Sequence, residues 1–197
     1  MTRFCLLLLT GSASAAIADE GMWTFDNFPK AAVQEKYGVD LDAAWLARLQ
    51  RSITRLEGGC TGSFASPEGL VLTNHHCAIG CIGDLSTASD NLVEHGFNSG
   101  GRAGERRCPG ALISVLVGTE DITAQVNSAT AGMPDAQANT VRKQTLSRLE
   151  SECTARAGNG KAGAAACESV TLYQGGQYFL YQYKRYDDVR LVFAPET

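Results

Sequence analysis

A mainly β fold with helical additions is what the sequence predicts, on three observations. The stretch 58–81, GGCTGSFASPEGLVLTNHHCAIGC, places two short extended segments either side of a Ser66-Pro67-Glu68-Gly69 turn. Further apolar runs at 111–117, 169–173, 177–183 and 189–193 have strand length and are separated by polar or glycine-rich segments. Two longer stretches, 41–56 and 134–157, carry a helical rhythm and supply the additions.

The chain of 197 residues is long enough for one ordinary domain with a sizeable core, and 44% of it is hydrophobic. A formal charge of −4 and the lack of a basic run argue against a nucleic-acid partner. No apolar run reaches the roughly 18 residues needed to span a bilayer, so a soluble protein is expected.

The first 18 residues read as a targeting segment. Arg3 supplies the positive start, 4–10 a short apolar core, and Ala13-Ser14-Ala15 or Ala16-Ile17-Ala18 a small-residue cleavage site. Cleavage after Ala18 leaves 19–197 as the mature unit, starting at Asp19. The apolar core is short for such a signal, which leaves room for upstream sequence; a buried N-terminal helix is the plainer alternative. Export means a periplasmic or secreted location and an oxidising compartment. Of seven cysteines, Cys5 leaves with the signal and Cys60, Cys77, Cys81, Cys108, Cys153 and Cys167 remain. An even number in an exported chain favours disulfides, and sequence neighbourhood suggests Cys60–Cys77, Cys81–Cys108 and Cys153–Cys167.

Taken in order, 21–29 is aromatic and polar and reads as an extended arm whose rings anchor on a larger body. Asp40 is positioned to cap a helix over 41–56, with Trp45, Leu49 and Ile53 at helical spacing, Arg48, Arg51 and Arg55 facing water, and Gly58-Gly59 as the stop. Residues 61–64 and 70–73 form the two segments of the hairpin. The glycines from Gly80 to Gly110 suggest long surface loops. The run ALISVLV at 111–117 is the strongest strand, ended by 118–121. The helix at 134–157 turns Val141, Leu146 and Leu149 to one side. The small-residue run 155–166 is followed by a tyrosine-rich pair of strands around Gln174-Gly175-Gly176 and a last strand at 189–193.

The chemistry concentrates at Asn74-His75-His76-Cys77. A serine-type hydrolase needs a hydroxyl nucleophile, a histidine to take its proton and a carboxylate to orient the imidazole. A histidine at a strand end, with its neighbouring cysteine bonded to the preceding strand, is how a trypsin-like β-barrel presents that base. His76 is favoured because it adjoins Cys77; strand alternation then turns His75 to the other side, with Thr73 and Asn74 as supporting residues. The rival use of these side chains is a zinc site built from His75, His76, Cys77, Cys81 and His95. Adjacent ligands suit one tetrahedral ion poorly, and no metal or other cofactor is expected.

At these residues the chain resembles the bacterial serine dipeptidyl-peptidases of the dipeptidyl-peptidase 7 and 11 type. The resemblance spans the mature chain and rests on Gly21-Met22-Trp23, on the run SPEGLVLTNHHC at 66–77, and on YKRY at 183–186 with DVRLVFAP at 188–195. It implies a trypsin-like (chymotrypsin-fold) double β-barrel carrying a large helical domain, and an exported exopeptidase that removes dipeptides from free peptide N-termini. It also implies His76 as the catalytic histidine. Family members are several times longer, and the resemblance puts their aspartate and serine beyond the residues present here. Gly-Asp-Ser-Gly and Gly-x-Ser-x-Gly are absent from the sequence, Ser63 and Ser66 read as turn residues, and Asp84, Asp90, Asp121, Asp187 and Asp188 are undistinguished as acids.

The expectation is therefore an incomplete first barrel with flanking helices, carrying the base of a dipeptidyl-peptidase and inactive as a 197-residue chain. Oligopeptides with free N-termini are the expected substrates of the complete enzyme, for which a homodimer is left open. A non-catalytic exported module that binds peptides or a partner is the alternative.

Overall fold

The structure, a computed structural model, describes residues 21–157 and 165–196. The targeting segment expected at 1–18 lies outside these residues, as does most of the small-residue run 155–166. After a 3-10 turn at Phe25–Asn27 come α1 (Lys30–Tyr37) and α2 (Ala43–Ser52), then β1 (Ile53–Leu56), β2 (Thr61–Phe64) and β3 (Val71–Thr73). Helices α3 (His75–Leu85) and α4 (Leu92–His95) follow, then the short strands β4 (Phe97–Asn98) and β5 (Arg106–Arg107). Strand β6 (Ile113–Asp121) leads into α5 (Thr123–Thr130) and α6 (Asp135–Arg156). The described chain closes with β7 (Ala165–Leu172), β8 (Gln177–Tyr186), β9 (Arg190–Leu191) and β10 (Phe193–Ala194).

Six strands form one sheet in the order β3-β2-β1-β6-β8-β7, and every pairing is antiparallel. β3 and β7 are its two edges. Closing a sheet into a barrel needs a pairing between its edge strands, and among the described residues β3 and β7 do not pair. Among the described residues the architecture is thus mixed α/β with an open six-stranded sheet, rather than mainly β.

Helices α5 and α6 bury one core against the β7–β8 hairpin. Ile122, Val126, Leu149, Tyr178 and Leu180 meet there around the Cys153–Cys167 pair, with Leu146 packed alongside. The helix expected at 134–157 matches α6 to within one residue at each end, but of the expected face only Leu149 is buried, with Ala138, Thr145 and Cys153, while Val141 and Leu146 are half-buried. Helix α5 was not foreseen, and the strand expected to stop at 118–121 runs on to Asp121 through a bulge between Leu116 and Gly118. The bulge absorbs one residue and lets the pairing with β8 continue.

A second core joins Ile82 of α3, Leu92, Cys108, Leu191 and Ala194. It overturns the expectation of long loops between Gly80 and Gly110. Here α3, α4, β4 and β5 fold back on the chain's end, β4 pairing with β10 and β5 with β9. One of the glycines has a packing reason: Gly96 has φ +71°, and a Cβ there would lie 2.7 Å from the Ala194 carbonyl oxygen.

Near the start, the helix expected over 41–56 stops at Ser52. Its cap is Asp42, whose Oδ1 accepts the Trp45 N–H at 2.6 Å, and not Asp40. Ile53 and Thr54 are β-branched and pair with Ser63 and Gly62, so a strand takes the last four residues and Gly58-Gly59 lie in the β1–β2 turn instead of ending a helix. Leu46 is buried, whereas Trp45 and Leu49 are exposed; Arg48, Arg51 and Arg55 face water as expected. The rings of the arm at 21–29 are partly covered: Phe25 and Phe28 are half-buried, while Trp23 is 51% exposed.

Candidate active site

The site is built on the β2–β3 hairpin. Gly62, Ser63 and Phe64 pair with Thr73, Leu72 and Val71, and the turn closes with Ala65 N–H donating to the Leu70 carbonyl at 2.8 Å. Ser66 is a turn residue as expected, its hydroxyl oxygen accepting the Leu70 N–H at 3.3 Å, whereas Ser63 lies within β2. At the other end the Thr73 hydroxyl donates to the Thr61 carbonyl at 2.8 Å and holds the strand where it leaves the sheet.

Asn74 remains extended and then the chain turns directly into α3, so His75 and His76 are the first two residues of a helix and not the end of a strand. Strand alternation therefore gives way to a helical step of roughly 100° between the two side chains. The rings have different environments. His76 is exposed, while His75 is half-buried with both ring nitrogens shielded and without a hydrogen-bond partner among the described residues. Asn74 caps the helix without a side-chain hydrogen bond; its carbonyl accepts the Cys77 N–H at 3.0 Å.

The disulfide Cys60–Cys77 ties the first turn of α3 back to the residue preceding β2, with Cα atoms 5.9 Å apart. Cys81–Cys108 and Cys153–Cys167 complete the three pairs inferred from sequence neighbourhood. The first anchors α3 in the second core and the other anchors α6 to β7.

The zinc ligands proposed as a rival set do not converge. Among the described residues the one group with metal-ligand spacing is Cys60, His76 and Cys77. Its two sulfurs are bonded to each other, and a disulfide offers no thiolate to a cation. Cys81 is likewise bonded to Cys108, and His95 ends α4 outside that group.

Three of the five candidate acids are engaged elsewhere. Asp90 pairs with Arg106 at 2.8 Å, and Asp121 Oδ1 accepts the Thr123 N–H at 2.8 Å. Asp188 accepts both Arg190 Nε and an Arg190 terminal nitrogen at 2.9 Å. The Arg190 hydrogen bond, with the Arg190 and Arg107 charges, holds the Asp188 carboxyl below the usual aspartate range; the Thr123 hydroxyl and amide do the same for Asp121.

Two features near the hairpin were not found from sequence. Thr54 of β1 is fully buried, and its hydroxyl has no partner among the described residues. It lies beneath Gly62, where an added Cβ would sit 2.9 Å from the Thr54 Oγ1. Glu168 of β7 holds Arg55 at 2.7 Å and Arg185 at 3.1 Å, bridging strands that are distant in sequence. The Glu168 hydrogen bond, foremost, raises Arg55 above its ordinary value. A period-2 pattern shows each residue's face but not which strand will lie beside it.

These features can be set beside known proteins. The family model described as Peptidase S46 matches residues 18–197. Dipeptidyl-peptidase 7 of Phocaeicola vulgatus is 32% identical over 209 residues, covering 100% of this chain and 29% of that protein. The Asp/Glu-specific dipeptidyl-peptidase of Porphyromonas gingivalis is 32% identical over 191 residues, covering 92% of this chain and 26% of the relative. Among solved structures, Porphyromonas endodontalis DPP11 in complex with the dipeptide Arg-Glu superimposes with a TM-score of 0.74 at 29% identity, over 91% of this chain and 26% of that one. The chain thus spans less than a third of the length of these relatives. With the family model matched from residue 18 to residue 197, the chain belongs to the Peptidase S46 family.

Proposed function

We propose that the protein to which these residues contribute is an exported serine-type dipeptidyl-peptidase, with His76 as its general base. One observation carries the assignment. His76 is the exposed histidine of the pair, set in the first turn of α3, and the neighbouring Cys77 is bonded to the far side of the hairpin. The relatives are named dipeptidyl-peptidases, which supports the reaction class; in this reading the dipeptides come from free peptide N-termini. Three disulfides support an oxidising compartment. Among the described residues no helix is long and apolar enough to cross a membrane.

In this reading the open six-stranded sheet belongs to the first barrel of a trypsin-like double barrel. His76 takes the proton of a serine hydroxyl as that oxygen attacks the peptide carbonyl, then returns it to the leaving amine. Backbone N–H groups close to the serine hold the developing oxyanion. His75, with shielded ring nitrogens, is unsuited to receive a proton from substrate or nucleophile and acts as support. Asn74 supports from the other side by starting the helix.

The test is turnover of a dipeptidyl reporter with a free N-terminus by the full-length protein. His76→Ala is expected to lower kcat/KM by at least about 10³-fold, the scale of losing a general base. A His76→Ala enzyme within about tenfold of the parent would overturn the assignment. The 197-residue chain by itself is expected to show no turnover in the same assay.

A further inference from the structure

We propose that the Cys60–Cys77 bond is a thiol-sensitive latch on the base, so that a dithiol reductant turns the enzyme down without unfolding it. The proposal rests on the assignment of His76 made above, and it starts from a difference among the three disulfides. Cys153 and Cys167 are 2% and 8% exposed in the first core, and Cys108 is 5% exposed in the second, where its half-buried partner Cys81 packs against it, so each of these pairs has at least one sulfur inside a core. Cys60 and Cys77 belong to neither core. Both are half-buried, and the residues flanking them, Gly59 and His76, are exposed. Thiol–disulfide exchange needs an attacking thiolate to reach a sulfur in line with the bond, so access decides which pair reacts first.

The local backbone lets the opened pair separate. Gly58 and Gly59 precede Cys60 at φ +92° and +94°, conformations natural to glycine, and a Cβ on either would meet nothing within 4 Å. On the other side, Asn74 offers α3 no side-chain cap, and the ring of His75 has no hydrogen-bond partner among the described residues. The register of the hairpin ends at Thr73. The disulfide is what carries the tether past that point to the turn bearing His76. Farther along, α3 stays anchored through Ile82 and the Cys81–Cys108 pair, so the change is confined to its first turn.

The chemistry is a two-electron exchange. A thiolate of the dithiol attacks one sulfur of the pair, the protein S–S bond breaks as the mixed disulfide forms, and the departing sulfur takes a proton. The second thiol of the reductant, as thiolate, then displaces the remaining protein sulfur, which is protonated in turn. Cys60 and Cys77 end as thiols and the reductant as its own disulfide.

The experiment is a titration of the full-length enzyme with dithiothreitol under native conditions, read by alkylation mass spectrometry, by dipeptidyl turnover and by circular dichroism. Cys60 and Cys77 should alkylate before Cys81, Cys108, Cys153 and Cys167, with the far-ultraviolet spectrum unchanged. Over the same dithiol range kcat should fall about 10- to 100-fold, the scale expected for a misplaced catalytic group, with KM altered far less. Reoxidation should restore it. A Cys60→Ser/Cys77→Ser variant should start at the lowered kcat and ignore the dithiol. Alkylation of another pair first, or full turnover with Cys60 and Cys77 reduced, would overturn the latch. If His76→Ala is inactive while the reduced enzyme is fully active, the latch alone fails. If His76→Ala is active, the base assignment fails first. Should the double variant not fold, the alkylation order and turnover of the unmodified protein still decide.

Discussion

Gly62 pairs with Thr73 at the end of the hairpin that leads to His76, and Gly62→Ala tests the packing of that end directly. A Cβ at this position would lie 2.8 Å from Val71 Cγ1, 2.9 Å from the Leu72 carbonyl oxygen and 2.9 Å from Thr54 Oγ1. None of the three can easily give way. Val71 is β-branched and stiff at χ1, the Leu72 oxygen belongs to the paired backbone, and Thr54 is 0% exposed. Overpacking of this kind costs about 1–3 kcal/mol. For a chain of this size that corresponds to a loss of about 2–12 °C in melting temperature. Gly83→Ala in α3 is the matched control, because a Cβ there meets nothing within 4 Å. Relief of glycine's helix penalty should leave it neutral or stabilised by up to about 1 kcal/mol. The assay is thermal unfolding of parent and variants by circular dichroism in one buffer. A Gly62→Ala melt within about 1 °C of the parent would refute the packing account, as would a larger loss from Gly83→Ala.

Leu180→Ala removes a side chain 1% exposed between β8 and α5–α6, and should cost about 2–5 kcal/mol, read as a lower urea midpoint with unchanged slope. Asp42→Ala should cost about 0.5–2 kcal/mol by freeing the Trp45 N–H, seen as faster hydrogen exchange at the start of α2. Asp188 titrates below the ordinary aspartate value because Arg190 donates to its carboxylate, so its contribution to stability is present above that ordinary value and is lost as pH falls through the depressed one. Arg190→Gln should move the Asp188 carboxyl resonance midpoint back up in an NMR titration, and an unchanged midpoint would contradict the pairing.

Helix α6 and the β7–β8 hairpin were legible because each depends on local pattern. A 22-residue run without glycine or proline, and a glycine-containing turn leading into the tyrosine-rich β8, leave little choice of structure. The hairpin around 66–69 and the three disulfides were legible for a related reason, since each cystine joins near neighbours in sequence. The errors fell where two local preferences compete. Ile53 and Thr54 suit a helical stripe at 41–56 and also a strand, and only their partners Ser63 and Gly62 tip the balance. Glycine density between Gly80 and Gly110 resembled loops, because the strands there are two residues long and exist only through pairing with β9 and β10, more than 80 residues later.

By itself, the sequence determined the candidate site of this protein: a histidine pair beside a cysteine, at the end of a hairpin whose turn and strands are written locally. What the tertiary structure decided was the relation between those parts. It ended β3 at Thr73 and started a helix at His75, which separated an exposed histidine from one with shielded nitrogens. It also buried at least one sulfur of two disulfides in a core and left both sulfurs of the third half-buried beside His76. Burial is a property of the whole packed chain: it follows from which distant segments come to lie on a residue, and neither composition nor spacing records that.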